Sequence, residues 1–221
     1  EITILAPAKI NLFLDVLDKH EDGYHDVLSV MQTVDVFDRI KITKNAASVG
    51  ERSIEVICDA GIPGGQSNLA YKAAEVFFEK AKIEDYDVVI KISKRIPDKV
   101  GLGGGSSDAA STMIALNELF KAGIDSDALC NIGMSVGSDV PFLIKKGTVM
   151  VKGRGDVLEN CTPMPDCFFV IAVPAGERVS TAEAYAKIDD VKTSQPIGAI
   201  KRSLDECDIY RMSNSMFNKF E

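Results

Sequence analysis

The chain is short of positive charge: 25 Lys and Arg residues stand against 33 Asp and Glu, a formal net charge of −8 with a pI near 4.9. Nucleic acids and anionic lipid surfaces reward clustered Lys and Arg, so this balance argues against both as partners, and any nucleotide bound is expected to be a small one. No apolar run approaches the ~20 residues that a membrane-spanning helix needs. The N-terminus also lacks a basic stretch followed by an apolar signal core, so no membrane partner is expected and cytoplasm is the expected compartment. Cysteine is sparse and unpatterned. Cys58, Cys130, Cys161, Cys167 and Cys207 form no CxxC pair and have no His at zinc-ligand spacing, which argues against a disulfide framework or a structural zinc and predicts buried, reduced thiols. Internal repeats and low-complexity segments are lacking as well.

What remains is ordinary globular material. At 221 residues, 46% apolar and 26% charged, the chain can bury a sizeable core as one large domain or two small ones. From Ile2 to Asp18, the residues Ile10, Leu12, Leu14 and Val16 alternate with Asn11, Phe13 and Asp15, the period of a strand, and Lys9 shares the parity of Asn11. Val30–Thr43 and Ser53–Cys58 also read as strands, and Gly61–Gly65 breaks the pattern. Helical spacing follows over 68–82, then a strand over 87–94, a glycine-rich turn, and helices through Ala109–Phe120 and Ser126–Ser135. A second unit is expected from about residue 150, dividing the chain into 1–150 and 151–221. Within it Asp166–Val173 reads as a strand, and Ser180-Thr-Ala-Glu183 is a capping box opening a helix that carries Tyr185. Strands and helices in this mixture predict an α+β fold.

Chemistry concentrates in Gly101-Leu-Gly-Gly-Gly-Ser-Ser-Asp108, between a predicted strand and a predicted helix. Glycines let the backbone approach a ligand closely, and the N-H groups at a helix start favour an anion such as a nucleotide phosphate. Ser106 and Asp108 suit the first helical turn, and a serine hydroxyl there could ligate Mg2+. No Lys follows the last glycine, so this is not a Walker loop, and the acidic ribose partner of a dinucleotide fold is missing. Each residue taken singly has a plainer role: a tight strand-to-helix connection for the loop, a solvated face for Lys9, a turn cap for the Asp139 of Gly137-Ser-Asp139, a surface turn for Tyr24 and His25, a helix N-cap for Asn68, and a solvated strand end for Lys94.

In combination they carry a resemblance. Pro7-Ala-Lys9-Ile-Asn11-Leu, Gly23-Tyr24-His25, Pro97-Asp98-Lys99-Val100-Gly101-Leu102-Gly103-Gly104-Gly105-Ser106-Ser107 and Gly137-Ser-Asp139-Val-Pro-Phe142, in that order, resemble the GHMP kinases. The triple glycine resembles the branch acting on a cytidine-diphosphate-linked methylerythritol in non-mevalonate isoprenoid precursor biosynthesis. The resemblance implies a two-domain fold, with a ribosomal protein S5 domain 2-like N-terminal domain and a ferredoxin-like C-terminal one. It implies ATP and Mg2+, with Pro97–Ser107 on the phosphates, Ser107 on the metal, and Asn68, Leu69 and Lys94 on the base and ribose. Asp139 is implied as the general base beside the substrate's 2-hydroxyl, and Lys9 as the residue that orients it and stabilises developing charge. Tyr24 and Tyr185 are implied to sandwich a cytosine whose edge His25 reads, and Asn11 to bond the polyol. The family's later glycine- and serine-rich motif does not occur before Glu221, so the second domain is expected to be incomplete. Another GHMP kinase, acting on mevalonate, homoserine or a sugar, a nucleotide-binding module without catalysis, and an RNA-binding protein sharing the N-terminal fold stay open as alternatives.

Overall fold

The computed structural model describes residues 1–59, 61, 63–173, 188 and 194–220. They gather into two compact units, one of residues 1–9, 34–98 and 102–145, the other of residues 10–33, 99–101 and 146–221. Two long strands, β1 (Ile2–Lys19) and β2 (His25–Lys44), supply residues to both.

In the first unit the strand order is β3-β4-β2-β1. β3 (Arg52–Cys58) runs parallel to β4 (Tyr86–Ser93), and β4 is antiparallel to β2 with Ile40 opposite Ile92 and Ile42 opposite Ile90. Every second residue of β4, Val88, Ile90 and Ile92, is buried, as the two-residue period of a strand with one covered face requires. The unit's described residues form helices α1 (Leu69–Ala81), α2 (Gly104–Leu119), α3 (Ser126–Gly133) and α4 (Val140–Lys145). Phe77 and Phe78 of α1 are buried, and Phe78 lies flat on Tyr86 with ring centroids 3.8 Å apart. Residues 107 to 113 of α2 are all buried, covering more than one face. Ala109, Ala110, Ser111 and Thr112 are small enough to let neighbours close in around the helix.

The second unit pairs β2 antiparallel with β5 (Thr148–Gly153), β5 antiparallel with β6 (Val157–Asn160), and β1 parallel with the two-residue β7 (Phe217–Asn218). Two helices, α5 (Gly198–Asp205) and α6 (Ile209–Ser215), bury Ile200, Leu204 and Met212 against Leu12, Phe13 and Val30. Whereas the sequence suggests one division near residue 150, packing draws 10–33 in with 146–221, because Val30 pairs with Met150 and Phe13 with Phe217.

Two expectations need correction. Asp166–Val173 forms no strand: Phe169 packs on the core, but Phe168 and Val170 are fully exposed, and the segment pairs with no strand among the described residues. Alternation without a ladder partner does not make a sheet. Of the five free cysteines only Cys130 is buried, and Cys207 is exposed. The capping box at 180–183 and Tyr185 lie outside the described residues.

Candidate active site

The glycine-rich loop ends in a helix start with an open N-terminus. Helix α2 begins at Gly104, two residues before Ser106, and its cap is Gly103 in the left-handed region at φ 69°, with no side chain capping the first turn. Uncapped N-H groups and the positive end of the helix dipole therefore face outward together, an arrangement suited to phosphate. The three consecutive glycines are each hemmed in. A Cβ on Gly103 would lie 2.8 Å from Lys9 Cγ, one on Gly104 3.2 Å from Ile96 Cγ2 and 3.3 Å from Lys94 Nζ, and one on Gly105 3.3 Å from Leu69 Cδ1. At Gly103 the loop thus approaches Lys9 as closely as only a residue without a side chain allows, and at Gly104 and Gly105 it sits tightly against Ile96, Lys94 and Leu69.

Lys9 is held from the backbone outward. Its N-H donates to the Leu102 carbonyl at 2.9 Å, tying β1 to the loop, and its side chain is 8% exposed. The ammonium stands 3.8 Å from an Asp139 carboxylate oxygen. Asp139 immediately precedes α4, its carbonyl accepting from the Leu143 N-H at 3.1 Å, and its side chain is more open than that of Lys9, at 29%. A cation and an accessible carboxylate thus face each other beside the phosphate-oriented helix end. Such a pair can orient a hydroxyl, accept its proton and offset charge that develops on oxygen.

Asn68 caps α1, its side-chain oxygen accepting from the Ala70 N-H at 2.9 Å, and Leu69 opens the helix facing Gly105. Ser107 does not fit the metal role that the resemblance implies. It is fully buried and donates its hydroxyl proton to the Pro7 carbonyl at 2.6 Å. Among the described residues no three His, Cys, Asp or Glu gather as metal ligands.

Lys94 is no solvated strand end. Its ammonium bonds Asp38 at 2.5 Å and Asp108 at 2.7 Å, with all three side chains between 0% and 7% exposed. Burial, outweighing the pull of Lys94, pushes the Asp108 carboxyl up to about 7. At Lys94 the balance is reversed: burial is the largest single influence and lowers its pKa, yet the two carboxylates together raise it. Both partners therefore shift upward for different reasons, Asp108 through burial and Lys94 through its two carboxylates. Asp38 stands in no motif: Asp35, three residues earlier on the same strand, is exposed while Asp38 is buried, so only the folded partners mark it.

In the second unit, Tyr24 is 65% exposed, and the Arg154 guanidinium lies 5.2 Å from its ring centroid. Asp22 anchors this pair, bonding Arg154 at 2.7 Å and accepting from the Tyr24 N-H at 3.2 Å. The Tyr24 N-H first, and then Arg154, hold the Asp22 carboxyl below its usual range. His25 is buried and lines a cleft of about 320 Å³ with Val16, Leu17, Asp18, Lys19, Ile188 and Lys219. Asn11 sits half-buried on β1. No helix among the described residues is long and apolar enough to cross a membrane.

Residues 68–147 match the family described as the GHMP kinases N terminal domain. All 221 residues are 42% identical to a 4-diphosphocytidyl-2-C-methyl-D-erythritol kinase of Exiguobacterium sibiricum, spanning 76% of that protein. A protein of the same name from Bacillus cytotoxicus is 37% identical and is spanned over 75% of its length. Among solved structures, a 4-(cytidine 5'-diphospho)-2C-methyl-D-erythritol kinase superposes with a TM-score of 0.68 at 32% identity, over 93% of this chain and 72% of that one. The mevalonate kinase of Methanococcus jannaschii shares the fold at 17% identity, with a TM-score of 0.64 over 99% of this chain and 74% of that one.

Proposed function

The chain belongs to the 4-diphosphocytidyl-2-C-methyl-D-erythritol kinases within the GHMP kinase family, and from that premise we propose that it transfers the γ-phosphoryl group of ATP to the 2-hydroxyl of that cytidylylated polyol in the cytoplasm, as a step in isoprenoid precursor synthesis. The observation that carries this reading is the Lys9–Asp139 pair, 3.8 Å apart, beside Gly103 at the uncapped start of α2.

Phosphoryl transfer asks little covalent chemistry of a protein and much positioning and charge stabilisation. The N-terminal turn of α2 holds the ATP phosphates, with Pro97–Ser107 enclosing them and Asn68 and Leu69 toward the base and ribose. Lys9 steadies the acceptor hydroxyl and the charge that grows on the transferring group. Asp139 accepts the proton as the O–P bond forms. Mg2+, when bound with ATP, would offset charge on the phosphates, and the buried Ser107 would not hold it. The exposed Tyr24 ring offers one face to cytosine, His25 reads the base edge, and Asn11 bonds the polyol. Tyr185 is the second aromatic of the sandwich, and residues 151–221 belong to the second domain of a two-domain kinase.

The test is a turnover panel with ATP and the cytidylylated methylerythritol, mevalonate and homoserine as acceptors, with products read by mass spectrometry. Phosphorylation of the first alone is expected. Preference for another acceptor overturns the substrate, and ATP binding with no product from any overturns the catalysis.

A further inference from the structure

We propose that Asp38, Lys94 and Asp108 act as a buried staple that closes the base of the glycine-rich loop and so sets its affinity for ATP. The proposal rests on the loop being the ATP site, and it gives Lys94 a positioning role in place of a nucleotide contact.

The staple is defined by where its partners sit. Asp38 lies on β2 and is fully buried. One of its oxygens accepts from the Arg95 N-H at 2.5 Å and the Ile96 N-H at 2.9 Å, and the other bonds the Lys94 ammonium at 2.5 Å. A single carboxylate thus fixes three successive residues of the stem that leads into the loop. Lys94 then reaches across to Asp108, 2.7 Å away, in α2 just beyond the loop's last serine. The stretch from Pro97 to Ser107 is therefore bounded on both sides by one ion triad. The Lys94 ammonium also lies 3.3 Å from where a Cβ on Gly104 would be, directly against the first residue of α2.

Stability alone gives a weak reason for such a triad, since taking three charges out of water can cancel what their attraction gains. Directionality is what it supplies. A buried charge pair has few satisfactory geometries, so the two stems hold one separation and orientation, and the N-H groups between them stay aimed at one place. Two of the three ammonium N-H groups already have carboxylate partners, and the side chain is 7% exposed, which leaves Lys94 poorly disposed to reach a nucleotide.

Three variants of the full chain test this: Asp38→Asn, Lys94→Met and Asp108→Asn. Binding of the β,γ-imido analogue of ATP is measured by calorimetry well below each variant's thermal midpoint. Amide hydrogen exchange is followed at residues 96 to 107 and in α1 and α3. The wild-type chain must bind the analogue; if it does not, the ATP assignment fails and not the staple. All three variants are expected to bind about ten- to a hundredfold more weakly, with exchange rising in the loop and not in α1 or α3. Wild-type affinity in Asp38→Asn and Asp108→Asn, with loss only in Lys94→Met, would mean that Lys94 touches the nucleotide itself and would overturn the staple. Faster exchange spread evenly through the unit would overturn it too, because the triad would then be a general stabiliser. If Asp38→Asn does not fold, Asp108→Asn, on the far stem, decides alone.

Discussion

Lys9 and Asp139 differ in how much water each retains, and that difference fits the separate roles proposed for them. Lys9 is buried and backbone-tethered through Leu102, as suits a fixed charge, whereas the more open Asp139 can meet an incoming hydroxyl. Asp139→Asn keeps the shape and removes the proton acceptor, so turnover should fall by about 10²- to 10⁴-fold, with ATP affinity unchanged when the two are measured side by side. Arg154 belongs with the proposed base-binding residue Tyr24. With its guanidinium over one face of Tyr24, it leaves the opposite face for a base. Arg154→Ala should raise KM for the cytidylylated substrate roughly 2- to 5-fold, the scale of an exposed cation–π contact, and leave KM for ATP alone; equal effects on both would point to a wider disturbance. The sequence made Lys9, Asp139 and Tyr24 legible because each stands in a short motif whose order is informative. Arg154 and Asp38 were not legible, since their meaning comes from partners brought near by folding. Asp38 lies 56 residues from Lys94 along the chain, and no local pattern carries that distance.

Among the elements, those with strong local signals appeared almost where periodicity put them. Asn68 caps α1 as its type and place suggest, and the β4 alternation matches its buried positions. The start of α2 was harder to place. Helix propensity disfavours glycine, yet the helix begins at Gly104, which puts Ser106 in its first turn as its type suggests. Asp166–Val173 failed for the converse reason: its alternation is real, but a strand is a relation between two segments. The loop's conformation should be intolerant at Gly103. Gly103→Ala forces a Cβ into the left-handed region and against Lys9 Cγ, so turnover should drop by more than ATP affinity does, because Lys9 is displaced while the N-H groups of α2 remain. Matched kinetic and calorimetric measurements on the variant check this; loss of ATP affinity alone would refute it.

For the molecule as a whole, charge is the quantity most exposed to solution conditions. Because Asp108 holds its proton up to about pH 7 when folded, against an ordinary value of 3.8, the folded state binds a proton that the unfolded chain has lost between those limits. Its contribution to stability is therefore full below 3.8 and fades as pH rises toward 7. Lys94 works in a separate window: its raised value contributes through neutrality and is lost only in alkali, above the ordinary 10.5. Comparing thermal midpoints at about pH 5 and about pH 8 should show a smaller difference in Asp108→Asn than in the parent; an unchanged difference would mean that Asp108 ionises normally.

The three glycines that face Lys9, Lys94 and Leu69 also set how this loop can drift under mutation. Gly103 is pinned by Lys9, which is tied to the loop and paired with Asp139, and Gly104 by Ile96 and by Lys94, whose charge is already shared. Gly105 meets only a leucine methyl group. In a library randomised at these positions, that last pair alone should trade volume, with Gly105→Ala recovering beside Leu69→Val, so that a loop which reads as one uniform motif holds two fixed positions and one negotiable one.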